Sequence, residues 1–353
     1  MGSSVAACGE ELPLDGSAGK AGGGPGGKAG SAGAAGAGAA GAAGAGAAGA
    51  GAAGAGAGAG GGGSAGVAGQ GQGGAGGEGV SVATKPVIYQ LVVRHFGNES
   101  TGRVKDGTMA ENGVGKFQDV NEAALASLKA LGMTHVWYTG VLRQATMTDH
   151  GDVGLEADDA DVVKGRAGSF YAVRDYYDVS PDYAVDKAQR VAEFQAMVAR
   201  THAADLGVLI DLVPNHVARG YHSVVRPDAD FGADDDKTKF FSPQNNFFYL
   251  PAGQPLKLTR PAGWAPAGVT FDTLFGPEDG TPGRQARVTG DDVASASPSV
   301  DNWYETIKLN YGRDFRPPNA TSYDPLPSTW GKMNDVIAYW QGLGVDGFRC
   351  DFA

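Results

Sequence analysis

GVLIDLVPNH, residues 207–216, and VDGFRCD, residues 345–351, are the two stretches on which the fold turns. Each opens as a short apolar run, the pattern of a buried strand, and each ends in ionisable or hydrogen-bonding groups. In the first, period-two geometry puts Asp211 and Val213 on one face and Leu212 on the other. Pro214 stiffens the exit turn that carries Asn215 and His216. In the second, Gly347, Arg349 and Asp351 share a face. Phe348 and Cys350 take the opposite face, where they are expected to pack against covering helices. Arg349 and Asp351 then point inward together. A buried charge needs a partner, and an arginine beside a carboxylate keeps it ionised. That is the state a carboxylate nucleophile needs. A structural salt bridge satisfies the same spacing equally well.

Working outward, VIYQLVV (residues 87–93) and THVWYT (residues 134–139) are two further apolar strands. Between them lies DVNEAALASLKALG, with Asn121 as a cap and Val120, Ala124, Leu128 and Leu131 at helical spacing; Gly132 stops it. A long loop is expected over residues 140–185. A helix from Asp186 carries an apolar stripe of Val191, Phe194, Val198 and Ala199 and ends at Gly207. Another begins near Ser328 and Thr329, with Met333, Val336, Ile337 and Trp340 on one side. Strands alternating with amphipathic helices predict a parallel sheet covered by helices. A doubly wound sheet and a barrel share that order. Ionisable groups converging from consecutive strand ends on one rim favour the TIM (β/α)8 barrel. Residues 217–327 are too long for a structureless loop and predict a subdomain inserted after the third barrel strand.

Composition limits the rest. Gly accounts for 59 of the 353 residues, and residues 32–63 are Gly and Ala alone. Such a stretch has almost no side-chain area to bury, so residues 1–84 are expected to be a disordered low-complexity tail. The roughly 270 residues that follow, 85–353, suffice for a real core. A net charge of -11 without a basic stripe argues against nucleic acid. No run of 18 apolar residues offers a membrane span. The opening MGSSVAACGEELPLD lacks the basic and apolar regions of a signal peptide, and its Gly2 only superficially matches a myristoylation signal. No bridge between Cys8 and Cys350 is expected. The acids Glu156, Asp158, Asp159 and Asp161, and likewise Asp234, Asp235 and Asp236, lack metal-loop spacing and are read as solvated loops.

Taken together, Asp211-x-x-x-Asn215-His216 and Gly347-Phe348-Arg349-Cys350-Asp351 resemble the first two signature motifs of the α-amylase family of glycoside hydrolases. About 135 residues separate His216 from Asp351, again as in that family. KPVIYQLVVRHFGN, GMTHVWYTG, GSFYAVRDYYDVSPDYA and FSPQNNFFY are similar to its bacterial α-amylase-like members. The resemblance spans residues 85–353 and implies roles residue by residue. Asp351 would be the nucleophile that forms a glycosyl ester. Arg349 would hold that carboxylate, and Asp211 would support the network around it. His216 would bind sugar hydroxyls and Tyr171 would stack on the reacting ring. Asn215 matches a position that in many members helps bind structural Ca²⁺.

The same resemblance implies an α-glucan substrate, starch or malto-oligosaccharide. In the family the proton donor is a Glu after the fifth strand, and no acid of the insertion fits that role. The chain is therefore expected to be the N-terminal half of a catalytic barrel, truncated after its fourth strand and inactive alone. Transglycosidase and α-glucosidase readings share every residue visible here. A non-catalytic glycan-binding or regulatory chain is the remaining alternative, and extracellular or periplasmic location is compatible with the family.

Overall fold

A computed structural model describes residues 85–352. The expectations for residues 1–84, including the disordered tail and Cys8, lie outside these residues. The elements in order are β1 (Ile88–Val92), α1 (Met109–Asn112), α2 (Glu122–Ala130), β2 (His135–Thr139), β3 (Leu142–Gln144), β4 (Val173–Val179), α3 (Arg190–Ala203), β5 (Gly207–Leu212), β6 (His216–Ala218), β7 (Thr306–Lys308), α4 (Ser328–Gly342) and β8 (Gly347–Cys350). The main sheet has the order β1-β2-β5-β8 and every pairing is parallel. Four parallel strands joined through helices, with a subdomain after the third, are half of a (β/α)8 architecture.

The register explains how the sheet is covered. Leu91, Tyr138, Ile210 and Phe348 lie in one row. The first three are buried and Phe348 packs against the same core. That face meets Phe194, Met197 and Val198 of α3 and Met333, Val336 and Trp340 of α4. The next row, Gln90, Trp137, Leu209 and Gly347, faces the other way and is less buried. The strand-end charges Asp211 and Arg349 stand on this second face, directly opposite each other in register.

Local chemistry sets the helix limits. The Asn121 side chain accepts from the Ala124 amide at 3.0 Å and caps α2. Its core contacts are Leu125 and Leu128; Leu131, expected on the buried stripe, is 71% exposed because it is the C-cap, where the chain leaves the helix. On α3, Met197 and Thr201 are buried and the expected Ala199 is not. Cys350 is exposed as well, against the expectation of packing. Among the described residues β8 is the outer strand of the sheet, so nothing flanks it on that side.

The segment 140–185 is not the plain loop expected. β3 and β4 form an antiparallel ribbon with two register shifts. β3 is only three residues long, and β4 reads VRDYYDV, so neither shows an apolar alternation. The acids of β4 are buried with partners: Asp178 holds Arg190 at 2.7 Å, and Asp175 accepts from the Tyr177 and Val224 amides. Several acids read as solvated are likewise structural. Asp161 accepts from the amides of Asp272 and Thr273, Asp158 pairs with Arg174, and Asp235 holds the amides of Asn246 and Phe247.

β6 and β7 form the ribbon that enters and leaves the insertion. Beyond it, Phe248, Leu250, Leu256, Phe275 and Val288 make a second core. Arg219 and Arg287 clamp the buried Glu278 from two sides, each at 2.7 Å. Burial opposes the Glu278 charge, but the two guanidiniums outweigh it and hold the carboxyl below its ordinary range.

Candidate active site

The site grows from the C-terminal ends of β2, β5 and β8. Asp211, 3% exposed, accepts from the Trp137 indole N–H at 3.1 Å and the Gly140 amide at 2.8 Å. Gly140 has φ of 70°, and a Cβ there would stand 2.4 Å from the Phe170 ring. Only glycine lets this backbone turn under the carboxylate. Burial pushes Asp211 up to about 6, although its donors and Arg349 work in the opposite direction.

Arg349 is the hub. Its guanidinium donates to Asp351 and lies 3.9 Å from Asp211. It also stands 5.2 Å from the centre of the Trp137 ring and 5.5 Å from that of Tyr171. Two aromatic faces and two carboxylates thus fix one cation. Burial works against its charge, yet Asp351, Tyr171 and Asp211 raise Arg349 above its ordinary value. Burial likewise raises Tyr171, with Asp211 adding to it. The Asp351 amide donates to the Leu212 carbonyl at 2.8 Å, so its backbone is tied to β5.

His216 opens β6 and is 3% exposed. The Asn215 amide nitrogen donates to His216 Nδ1 at 3.1 Å, which leaves the ring proton on Nε2. Burial pushes this imidazole down to about 4, against the attraction of Asp351, so the ring is neutral near pH 7. Asn215 in turn donates to the Gly290 carbonyl at 2.7 Å and accepts from Lys308 Nζ at 2.9 Å.

Tyr171, His216 and Asp351 line one cavity of about 320 Å³. Sequence spacing placed none of its other walls. Trp303 stands 5.2 Å from the His216 ring and 5.0 Å from Phe352. Glu305, buried at 6% exposure, faces the same cavity and pairs with Lys164 at 3.1 Å. Burial raises the Glu305 carboxyl and Lys164 opposes that rise. These residues arrive from the far end of the insertion and from the β3–β4 segment, so only folding brings them to the site.

Two histidines outside this cavity hold carboxylates. His150 is buried against Asp182 at 2.8 Å, and His202 meets Asp346 at 2.8 Å. Among the described residues no three His, Cys, Asp or Glu side chains cluster as a metal site, and no helix is long and apolar enough to cross a membrane.

The rim of this parallel (β/α) half-barrel thus carries a carboxylate–arginine–carboxylate array and a histidine. In comparison with known protein families, the alpha amylase catalytic domain matches residues 101–265. A catalytic domain of the α-amylase family of glycosidases occupies this middle region of the chain. The chain is 22% identical over 267 residues to Maltase 1 of Drosophila virilis, covering 75% of this chain and 31% of that protein. It is 25% identical over 276 residues to a cyclomaltodextrin glucanotransferase of Niallia circulans, covering 75% and 30%. The chain thus spans about a third of the length of these curated relatives. Among solved structures, an alpha-amylase from Lactobacillus plantarum is similar at 22% identity and a TM-score of 0.40, over 76% of this chain and 38% of that one.

Proposed function

We propose that this chain supplies the nucleophile side of a retaining α-amylase-type glycosidase acting on α-glucans. The observation that carries the reading is Arg349, held between Trp137 and Tyr171 and bound to Asp351 at the wall of the cavity that His216 also lines. In this reading Asp351 attacks the anomeric carbon, the glycosidic C–O bond breaks as the new ester forms, and the departing oxygen takes a proton from a general acid, which in the α-amylase family is a Glu after the fifth barrel strand. Arg349 holds and aims the Asp351 carboxylate through its guanidinium. Asp211 anchors Arg349 from below, and its own position is set by Trp137 and Gly140. Neutral His216 presents its Nε2 proton to a sugar hydroxyl, and the Tyr171 ring offers an apolar platform to the pyranose face. Water then attacks the ester and frees Asp351.

The relatives support glucan chemistry in general, since one is a maltase and another a cyclomaltodextrin glucanotransferase. Hydrolysis and glycosyl transfer share the ester intermediate and differ in the acceptor that resolves it.

The test is chemical trapping in the protein that carries this chain. An activated 5-fluoro-α-glucosyl fluoride should form a stable ester, and peptide mass spectrometry should find it on Asp351. Asp351→Asn should abolish both labelling and turnover. A label on another carboxylate, or turnover retained in Asp351→Asn, would overturn the assignment.

A further inference from the structure

The α-amylase resemblance implies calcium at Asn215, and the atoms around that side chain bear on whether it fits. A calcium ion takes six to eight oxygen ligands at about 2.3–2.6 Å. Here the Asn215 amide oxygen already accepts from Lys308 Nζ at 2.9 Å. The same ammonium lies 2.6 Å from Asp292 Oδ1. The neighbouring Asp291 is occupied as well, by the Asn302 side-chain amide at 3.1 Å and by Thr289. The two oxygens left for a cation therefore share one that is covalently part of the chain. A divalent ion placed between them would face the Lys308 charge at contact distance. The set does not fit calcium.

The surroundings show that this is a built joint. Lys308 pairs with His216 across the β6–β7 ribbon, so its ammonium is delivered beside Asn215 by strand register. The Leu309 amide donates to the Asn215 carbonyl at 2.9 Å and continues that pairing. On the other side, the Asn215 amide nitrogen holds the Gly290 carbonyl. A Cβ on Gly290 would stand 2.6 Å from Thr306 Oγ1 and 2.9 Å from the His216 Cβ, so the turn is pressed against the ribbon. Asp292 sits in the left-handed region at φ of 69°, which turns its carboxylate back toward Lys308.

We propose that the Lys308 ammonium is the resident cation of this joint, and that Asn215, Lys308 and Asp292 fasten the insertion to the β5 exit without metal. Lys308 is thereby a positioning residue: it holds the Asn215 oxygen, which leaves the Asn215 nitrogen to orient His216. The fastening stands whether or not the cavity cleaves glucans.

The whole chain is studied by thermal unfolding and by calorimetric titration with calcium chloride alone. The wild type should melt within about 1 °C in chelator and in millimolar calcium, and should show no saturable calcium uptake, because a ligand bound to the native state alone would raise the midpoint. Lys308→Met should melt at least about 2–4 °C lower in chelator, the scale expected for losing one such contact in a domain of this size. Lys308→Arg, which keeps the charge, should recover part of that loss. Saturable calcium binding by the wild type, or a calcium-dependent rise of several degrees, would overturn the proposal. So would a Lys308→Met protein as stable as the wild type. Should Lys308→Met not fold, the wild-type calcium titration decides alone.

Discussion

Asp211 makes the stability of this fold depend on pH in an unusual direction. Its carboxyl is 3% exposed and is raised from 3.8 to about 6, chiefly by burial. The folded chain therefore holds a proton on Asp211 where the unfolded chain has released it. The stability this group contributes is fully present below about pH 4 and is lost as pH rises through about 6. The difference between 3.8 and about 6 corresponds to about 3 kcal/mol over the window. Asp182 and Glu278 act oppositely, since both are held below their ordinary range by cations or hydrogen bonds, so the raw pH curve mixes both signs. A difference measurement isolates Asp211. Asp211→Asn cannot titrate, and the amide it places against the Trp137 and Gly140 donors costs the same at every pH. Urea unfolding of both proteins, followed by tryptophan fluorescence at several pH values between about 4 and 7, gives the two stability curves. The wild type should lose about 3 kcal/mol relative to Asp211→Asn across that range. Parallel curves, or a wild type that gains on the variant as pH rises, would refute the assignment of a buried, proton-holding Asp211.

Two further outcomes follow from single contacts. Glu278→Gln leaves Arg219 and Arg287 buried without their counter-charge and should destabilise the chain by about 3–5 kcal/mol in urea unfolding; a loss below 1 kcal/mol would show that the triad is not held as described. Glu305→Gln should weaken malto-oligosaccharide binding by roughly 10-fold or more in isothermal titration, the scale of a hydrogen bond to a charged group, and Trp303→Ala should weaken it similarly; unchanged affinity in both would remove the cavity from sugar recognition.

Much of this architecture is local and therefore legible in the chain. The four sheet strands fall within two residues of the limits expected from their apolar runs. Asn121 and Gly132 bracket α2, because capping is a short-range hydrogen-bond problem. Strand periodicity also put Asp211 and Arg349 on the open face of the sheet, and the parallel register sets them opposite each other. What periodicity could not supply is any group whose role depends on distant neighbours. β4 is a strand made of acids and tyrosines, possible only because Arg190 and the Val224 amide meet its carboxylates. Asp161 and Asp235 look like solvent-facing acids until the insertion folds over them. Glu305, Trp303 and Lys164 complete the cavity from segments far apart in sequence. Lys308 is an ordinary strand residue until the β6–β7 pairing delivers its ammonium to Asn215. Backbone preference and side-chain period act over a few residues, so the sequence alone determined the four strands of the main sheet, the helices α2, α3 and α4 between them, and the array at the strand ends. Burial, charge pairing and the walls of the cavity are set by through-space distance, and only the tertiary structure decided those.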